Sequence, residues 1–541
     1  MASVDSNQPP PYEGRNLYLS DRALRAAVER GGAAWAHAGL TEWGAALGSA
    51  ELSALAARAN RFGPELRTHD RFGNRLDEVG FDPAWHELLM LAMIEGEHAS
   101  PWTEARGGAQ VARAAAYLMH AQIENGTQCP LTMTFAAVPL LRRHAGAMPR
   151  LANEWLPRVL SRDYDPRALP VAQKASALIG MGMTERQGGS DVRANTTRAD
   201  PVGGSDYRLT GHKWFFSAPM CDAHLVLAQA PNGLSCFLLP RLLPDGTRNA
   251  VRLQRLKDKL GNRSNASCEV ELDGATSWLL GDEGRGIQVI IEMVQHTRLD
   301  CAIGSAGIVK SAAAQALHHA QHRRAFGRPL AEQALMQNVL ADLAIEAEAG
   351  VVSALRLAST FESGADEAET ALSRLATPAL KYWLCKRAPT LVAEAIEVLG
   401  GNGYVEESAL PRLYREAPLN SIWEGSGNVM CLDVLRAARR EPNAVAALLA
   451  ELALARGGDA RLDRHVARLA ATFTGALDEA GARRLATDIA LALAAALLVR
   501  TAAPAVADAF CASRLGESYA GALGMLPAGV DCAAVLAQAS G

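Results

Sequence analysis

The chain has 541 residues, 49% of them hydrophobic and 21% charged, with a formal net charge of −4. That length buries a large core and predicts two to four domains of a soluble globular protein, while the charge excludes a globally basic nucleic-acid binder. The nine cysteines show no C-x-x-C pair and no metal-ligand spacing, which argues against a metal site and predicts reduced thiols in a cytoplasmic setting.

In chain order, Met1-Ala2-Ser3-Val4-Asp5-Ser6-Asn7-Gln8 lacks the basic and apolar regions of a secretory signal, and Pro9-Pro10-Pro11 reads as a flexible end. Residues 15–178 read mostly as helix, broken by turns such as Arg61-Phe62-Gly63-Pro64. The texture changes at 181–285. Short apolar runs alternate there with turn signals, and Cys268, Val270 and Leu272 alternate with Glu269 and Glu271, a strand period. Long helical patterns return at 287–321 and 367–399. Pro442 suits the start of a further helix. The longest apolar run, 489–499, is too short to span a bilayer and predicts a buried helix. The fold class is therefore mainly α with a central β domain, sheet or barrel. Its segments are 1–180 (helical), 181–285 (β), 286–440 (helical bundle) and 441–541 (a further helical domain).

Four motifs carry chemistry. Gly182-Met183-Thr184-Glu185-Arg186-Gln187-Gly188-Gly189-Ser190-Asp191 offers paired glycines and hydroxyls that suit an anion or a heterocycle edge, or form only a polar turn. Arg323-Arg324-Ala325-Phe326-Gly327 offers guanidinium forks for phosphate, or only a solvated helix end. Gly400-Gly401-Asn402-Gly403 ends a helix and is at least a C-cap turn. Ser421-Ile422-Trp423-Glu424-Gly425-Ser426-Gly427-Asn428 sets a carboxylate between apolar and glycine sides, as a proton-abstracting base or as a helix N-terminus.

In this order the four motifs resemble the acyl-CoA dehydrogenase family across roughly residues 80–440. A narrower likeness runs through 211–217, 256–267 and 420–428. It is to the branch of that family that serves the bacterial adaptive response to DNA alkylation. The resemblance implies a helical N-terminal domain, a β middle domain and a helical bundle, here with an extra C-terminal helical domain. It implies FAD, held by Met183, Thr184, Gly189, Ser190, Asp191, Trp214, Phe216 and Ser217 of the β segment. It adds Trp423, Gly425, Ser426 and Asn428 beside the candidate base. Arg323, Phe326, Gln333, Gly400 and Gly401 would meet the adenosine diphosphate half, partly across a subunit interface, in a homo-oligomer that is usually a tetramer. Glu424 would be the base that takes the α-proton of an acyl-CoA, and Arg298 lies near that base.

Two functions are open on this reading. One is a DNA-protecting flavoprotein with weak turnover of an isovaleryl-CoA-type substrate; the other is a metabolic dehydrogenase of short branched acyl-CoA with no DNA role. For duplex DNA the candidates are Arg436, Arg439 and Arg440, with Arg461, Arg464 and Arg468, which share a face within roughly 60° on a helical wheel. Asp459 and Asp463 interleave with the latter, and an arginine stripe is also simply a solvated face. Any contact would be to the DNA backbone.

Overall fold

The computed structural model describes residues 7–516 and 521–539. Residues 1–6 of the start read above as lacking a secretory signal lie outside the described residues. The chain divides into two compact units, one of Met1–Ser53, Arg106–Ile123 and Arg298–Gly541, the other of Ala54–Ala105 and Glu124–Thr297.

The second of these holds the strands. Ala223–Ala230 pairs with Gly233–Pro240 on one side and, through Arg198 opposite Gln229, with Arg198–Gly203 on the other. Asp206–Ser217 links Arg198–Gly203 to the long strand Ser267–Leu280, which pairs in turn with Gly233–Pro240. The hydrogen-bonded path therefore closes into a ring, which leaves no open edge along it. Ile179–Gly182 adds in parallel beside Ala223–Ala230, and Val251–Leu256 beside Ser267–Leu280. The period-two pattern does its expected work: Cys268, Val270 and Leu272 face the core with Leu209, Val226 and Phe237, while Glu271 faces water.

One element departs from the helical expectation for 15–178. Glu65–His69 and Arg75–Gly80 form an antiparallel hairpin. Its tip is fixed by Asp70, whose carboxylate accepts from the backbone N–H groups of Phe72 and Asn74. Leu66 and Val79 pack against the barrel core, so tertiary burial selects the strand.

The other unit is helical. Helix Glu367–Leu399 starts at Asp366, whose side chain accepts from the Glu369 N–H, and Pro442 opens helix Pro442–Ala453 as its sequence position predicts. Helix Ala482–Thr501 buries Ile489, Leu493, Leu497 and Leu498, at about 1.5–3 kcal/mol per fully buried side chain. The helices after Pro442 belong to the same compact unit as Ala334–Ser359 and Glu367–Leu399. Arg514 reaches back, fully buried, to Asp342 and to Glu346 (2.8 Å), while Glu451 accepts from Arg356 (2.8 Å) and Arg500 (3.0 Å). The Pro9-Pro10-Pro11 stretch is not loose, since the Pro10 carbonyl accepts from His318 Nε2 at 2.8 Å. Among the described residues no helix is long and apolar enough to cross a membrane, and no His, Cys, Asp or Glu cluster suits a metal ion.

Candidate functional site

The glycine motif leaves strand Ile179–Gly182 as a folded loop. A Cβ on Gly182 would stand 2.5 Å from the Phe216 ring, and one on Gly180 would strike His224, so close packing demands glycine at both. Glu185 and Gly188 exchange backbone hydrogen bonds (3.0 and 3.2 Å), with Gly188 at φ +141°. The Glu185 side chain turns inward, not toward solvent. Its carboxylate is fully buried and accepts from Lys213 Nζ (2.8 Å), the Thr196 N–H (2.7 Å), the Thr197 N–H (3.2 Å) and Gln187 Nε2 (2.8 Å). Lys213, equally buried, donates also to the Leu227 carbonyl (2.7 Å). Burial opposes ionisation of Glu185, but the Lys213 ammonium and the hydrogen bonds outweigh it and hold its pKa well below the carboxylate range. Burial lowers the pKa of Lys213, against the pull of Glu185. This buried pair, absent from the sequence expectations, fixes both ends of the 184–197 loop.

The loop presents its remaining polar groups outward. Ser190 and Asp191 are exposed, and space around the Cβ direction of Gly188 is open. The Met183 carbonyl accepts from Asn195 (3.0 Å), the Thr184 carbonyl accepts from the Trp214 N–H (2.8 Å), and Gly189 packs directly on the Thr184 side chain. Trp214 is half-buried with Lys257 Nζ over its ring at 3.4 Å, and Ser217 Oγ meets Ser267 Oγ at 3.1 Å. Phe216 corrects its expectation: it is only 2% exposed, belongs to the barrel core and stacks on His224 with centroids 3.8 Å apart. A strand irregularity between Lys213 and Phe216 leaves the neighbouring Phe215 46% exposed instead.

In the helical unit, Arg324–Ala325 and Arg328–Pro329 make a minimal hairpin. Its tip, Phe326 (φ +51°) and Gly327 (φ +84°), leaves Phe326 96% exposed. Gln333 donates to the Ala325 carbonyl at 3.1 Å. A Cβ at Gly327, Gly400 or Gly401 would meet nothing within 4 Å, so the backbone is open to a ligand at each.

The Glu424 turn is held by several buried groups. Glu424 is left-handed at φ +58°, a conformation that costs a non-glycine residue about 1–3 kcal/mol and persists only when its surroundings enforce it. Three consecutive carbonyls are gripped by two buried cations. Lys381 Nζ donates to those of Trp423 (2.8 Å) and Gly425 (2.5 Å), and Arg298 Nε donates to that of Glu424 (3.0 Å). Arg298 Nη1 is held in turn by Asp433 (2.8 Å), which also accepts from Arg374 (2.9 Å) and Arg436. Burial raises the pKa of Asp433, but Arg298 and Arg374 outweigh it and bring it down. Arg298 thus acts on the Glu424 backbone, with its charge answered by Asp433. Lys381 and Asp433 were invisible as site residues because each is a lone charge on a helical pattern. Trp423 Nε1 donates to Asn420 (2.9 Å), Ser426 precedes helix Gly427–Arg440, and Asn428 accepts from Arg483 (2.9 Å).

The arginines divide. Arg436, Arg439 and Arg440 are exposed on helix Gly427–Arg440, where Arg439 donates to the Leu477 carbonyl. Arg464 and Arg468 are exposed on helix Ala460–Thr474. Arg461 is not left open for a phosphate: it pairs with Asp459, the cap of its own helix, and with Asp508 (2.6 Å).

Residues 7–166 match the profile of the Adaptive response protein AidB N-terminal domain, 180–275 the acyl-CoA dehydrogenase middle domain, and 284–439 the acyl-CoA dehydrogenase C-terminal domain. The chain is 51% identical over 506 residues to the putative acyl-CoA dehydrogenase AidB of Escherichia coli K12, covering 93% of each chain. Its fold matches Caenorhabditis elegans ACDH-11, solved in complex with C11-CoA, at a TM-score of 0.85 and 28% identity, over 94% of this chain and 93% of that one. An acyl-CoA dehydrogenase from Bacillus anthracis, solved with FAD, shares the fold at a TM-score of 0.65 and 20% identity, over 81% of each chain. The chain belongs to the acyl-CoA dehydrogenase family, in the branch that carries an AidB N-terminal domain.

Proposed function

We propose that this chain is an AidB-type FAD flavoprotein that binds duplex DNA through phosphate contacts, protects it from alkylating agents, and retains weak dehydrogenation of an isovaleryl-CoA-type substrate. The observation that carries the reading is the conjunction on one helix: Gly427–Arg440 begins directly after the built Glu424 turn and ends in the exposed Arg436, Arg439 and Arg440.

FAD is the cofactor, and it supplies the hydride acceptor. The residues present fit it. The backbone is open to a ligand at Gly188 of the β unit and, separately, at Gly327, Gly400 and Gly401 of the helical unit. Thr184, Ser190 and Asp191 offer polar groups, and Phe215 takes the ring-flanking place expected of Phe216, beside Trp214 and Ser217. Arg323, Phe326 and Gln333 serve the adenosine diphosphate half. In the homotetramer that the family resemblance implies, another subunit would cover Phe326, whose ring stands 96% exposed at the hairpin tip.

In the reaction, Glu424 removes the α-proton of the acyl thioester. Its left-handed backbone aims the carboxylate, and the Lys381 and Arg298 donors keep that aim without reorganisation during proton transfer. Replacing Lys381 by Met removes two of the three grips. Lys381→Met is therefore expected to slow bleaching of the flavin by acyl-CoA roughly 10²-fold with FAD content unchanged, as read by anaerobic absorbance.

The DNA role is tested by gel retardation at low salt. Arg436→Ala combined with Arg439→Ala is expected to weaken binding to every duplex sequence alike. Arg439→Ala with Arg440→Ala, which spares the Asp433 cluster, should do the same. Unchanged retardation in both would favour the other reading, a metabolic short branched-chain dehydrogenase, which the intact Glu424 turn by itself also suits.

A further inference from the structure

The segment just before the first helix lies against both candidate adenosine-diphosphate turns of the helical unit. Asn7 uses its side-chain amide as a strand edge. Its Oδ1 accepts from the Arg324 N–H and its Nδ2 donates to the Arg324 carbonyl, both at 2.9 Å. The Arg323 guanidinium closes the contact by donating to the Asn7 carbonyl at 2.7 Å. Asn7 reaches this geometry at φ +52°, a conformation asparagine tolerates better than most residues. One residue on, Gln8 Oε1 accepts from Asn402 Nδ2 at 2.7 Å, in the turn opened by Gly400 and Gly401.

The far end of the segment is anchored. Arg15 donates to His318 Nδ1 (2.9 Å) while His318 Nε2 donates to the Pro10 carbonyl (2.8 Å). Because an arginine only donates, this pattern fixes the neutral imidazole with its proton on Nε2. The Tyr12 ring lies 5.2 Å from His318, with Arg15 over its face at 4.8 Å.

The hairpin so held has two residues in each strand, and such a ribbon has little stability of its own. Its tip has to keep Phe326 and Gly327 in left-handed backbone. The bonds from Asn7 supply the pairing that the hairpin lacks, and the Gln8 bond ties it to the second glycine turn.

We propose that residues 7–12 are a strap that holds the 323–327 turn and the Gly400–Gly401 turn in their FAD-accepting form, with Asn7 and Gln8 as positioning residues for the adenosine diphosphate half. This rests on the reading above that both turns meet FAD.

The test is FAD retention by the full chain. Holoprotein is dialysed against flavin-free buffer, and retained FAD is read from flavin absorbance relative to protein, beside a thermal melt of the FAD-saturated sample. Asn7→Ala with Gln8→Ala is expected to weaken retention roughly tenfold, with the melt of the saturated protein little changed. Asn7→Asp, which keeps the acceptor and loses the donor, should fall between this variant and the parent. Arg323→Ala is the control for the turn itself. If Arg323→Ala loses FAD while both strap variants hold it as the parent does, the strap is overturned and the reading of the turn stands. If Arg323→Ala also retains FAD, both fall.

Discussion

Glu424→Gln is expected to abolish bleaching of the bound flavin by isovaleryl-CoA, a loss of roughly 10³-fold or more in the rate of the reductive step. The argument is geometric. The amide keeps the size and the left-handed backbone of residue 424, and it leaves the grips of Lys381 and Arg298 on the main-chain carbonyls untouched. Only the ability to accept a proton is lost. FAD content and thermal stability should therefore match the parent protein, and the size of the loss separates this variant from Lys381→Met, where the base is present but poorly aimed and the loss is only about 10²-fold. An anaerobic absorbance trace checks it. Bleaching at the parent rate would show that another group takes the proton.

Lys213→Met is expected to destabilise the protein by about 3–5 kcal/mol through the 184–197 loop that Lys213 anchors from strand Asp206–Ser217. The ammonium disappears and leaves the Glu185 carboxylate fully buried, with only backbone and neutral donors. The 184–197 loop then loses its fixed point, so FAD retention falls together with the melting temperature. The pH dependence gives a second readout. The pKa of Glu185 in the folded parent lies below its unfolded value, so its contribution is fully present above the ordinary carboxylate range, begins to fade as pH enters that range, and is lost only as pH falls on through the lower folded value. The variant should lose this acid-side dependence. Adding Glu185→Leu to Lys213→Met should recover much of the stability, because the cost lies in the stranded charge and not in the pair's net worth. A single variant as stable as the parent would contradict the assignment of Glu185 and Lys213 as the loop's anchor.

The parts of this fold that were legible in the sequence are those governed by neighbours in the chain. Helix Glu367–Leu399 and the break before Pro442 follow from caps and proline, and the alternation at Cys268, Val270 and Leu272 follows from strand period. The glycine motifs announced their turns for the same reason. What stayed hidden depends on partners far along the chain. Asp433 meets Arg298 from 135 residues away, and Lys213 meets Glu185 from 28 residues away. The hairpin at Glu65–His69 exists because Leu66 and Val79 find the barrel core. A local irregularity exchanges the roles of Phe215 and Phe216, which no period-two count anticipates. The proline-rich segment looked loose on composition, yet Asn7, Gln8 and Pro10 are all engaged by residues from distant helices and turns.

The DNA role is the central claim, and the salt dependence of duplex binding by the FAD-loaded protein tests it most directly. Each arginine that neutralises a phosphate releases counterions. Four or five such contacts from the exposed Arg436, Arg439, Arg440, Arg464 and Arg468 predict a log–log slope of about −3.6 to −4.5, with little dependence on base sequence. Retardation that appears at low salt with this slope supports the account. No retardation at low salt, together with fast and complete bleaching by several acyl-CoAs, would contradict it.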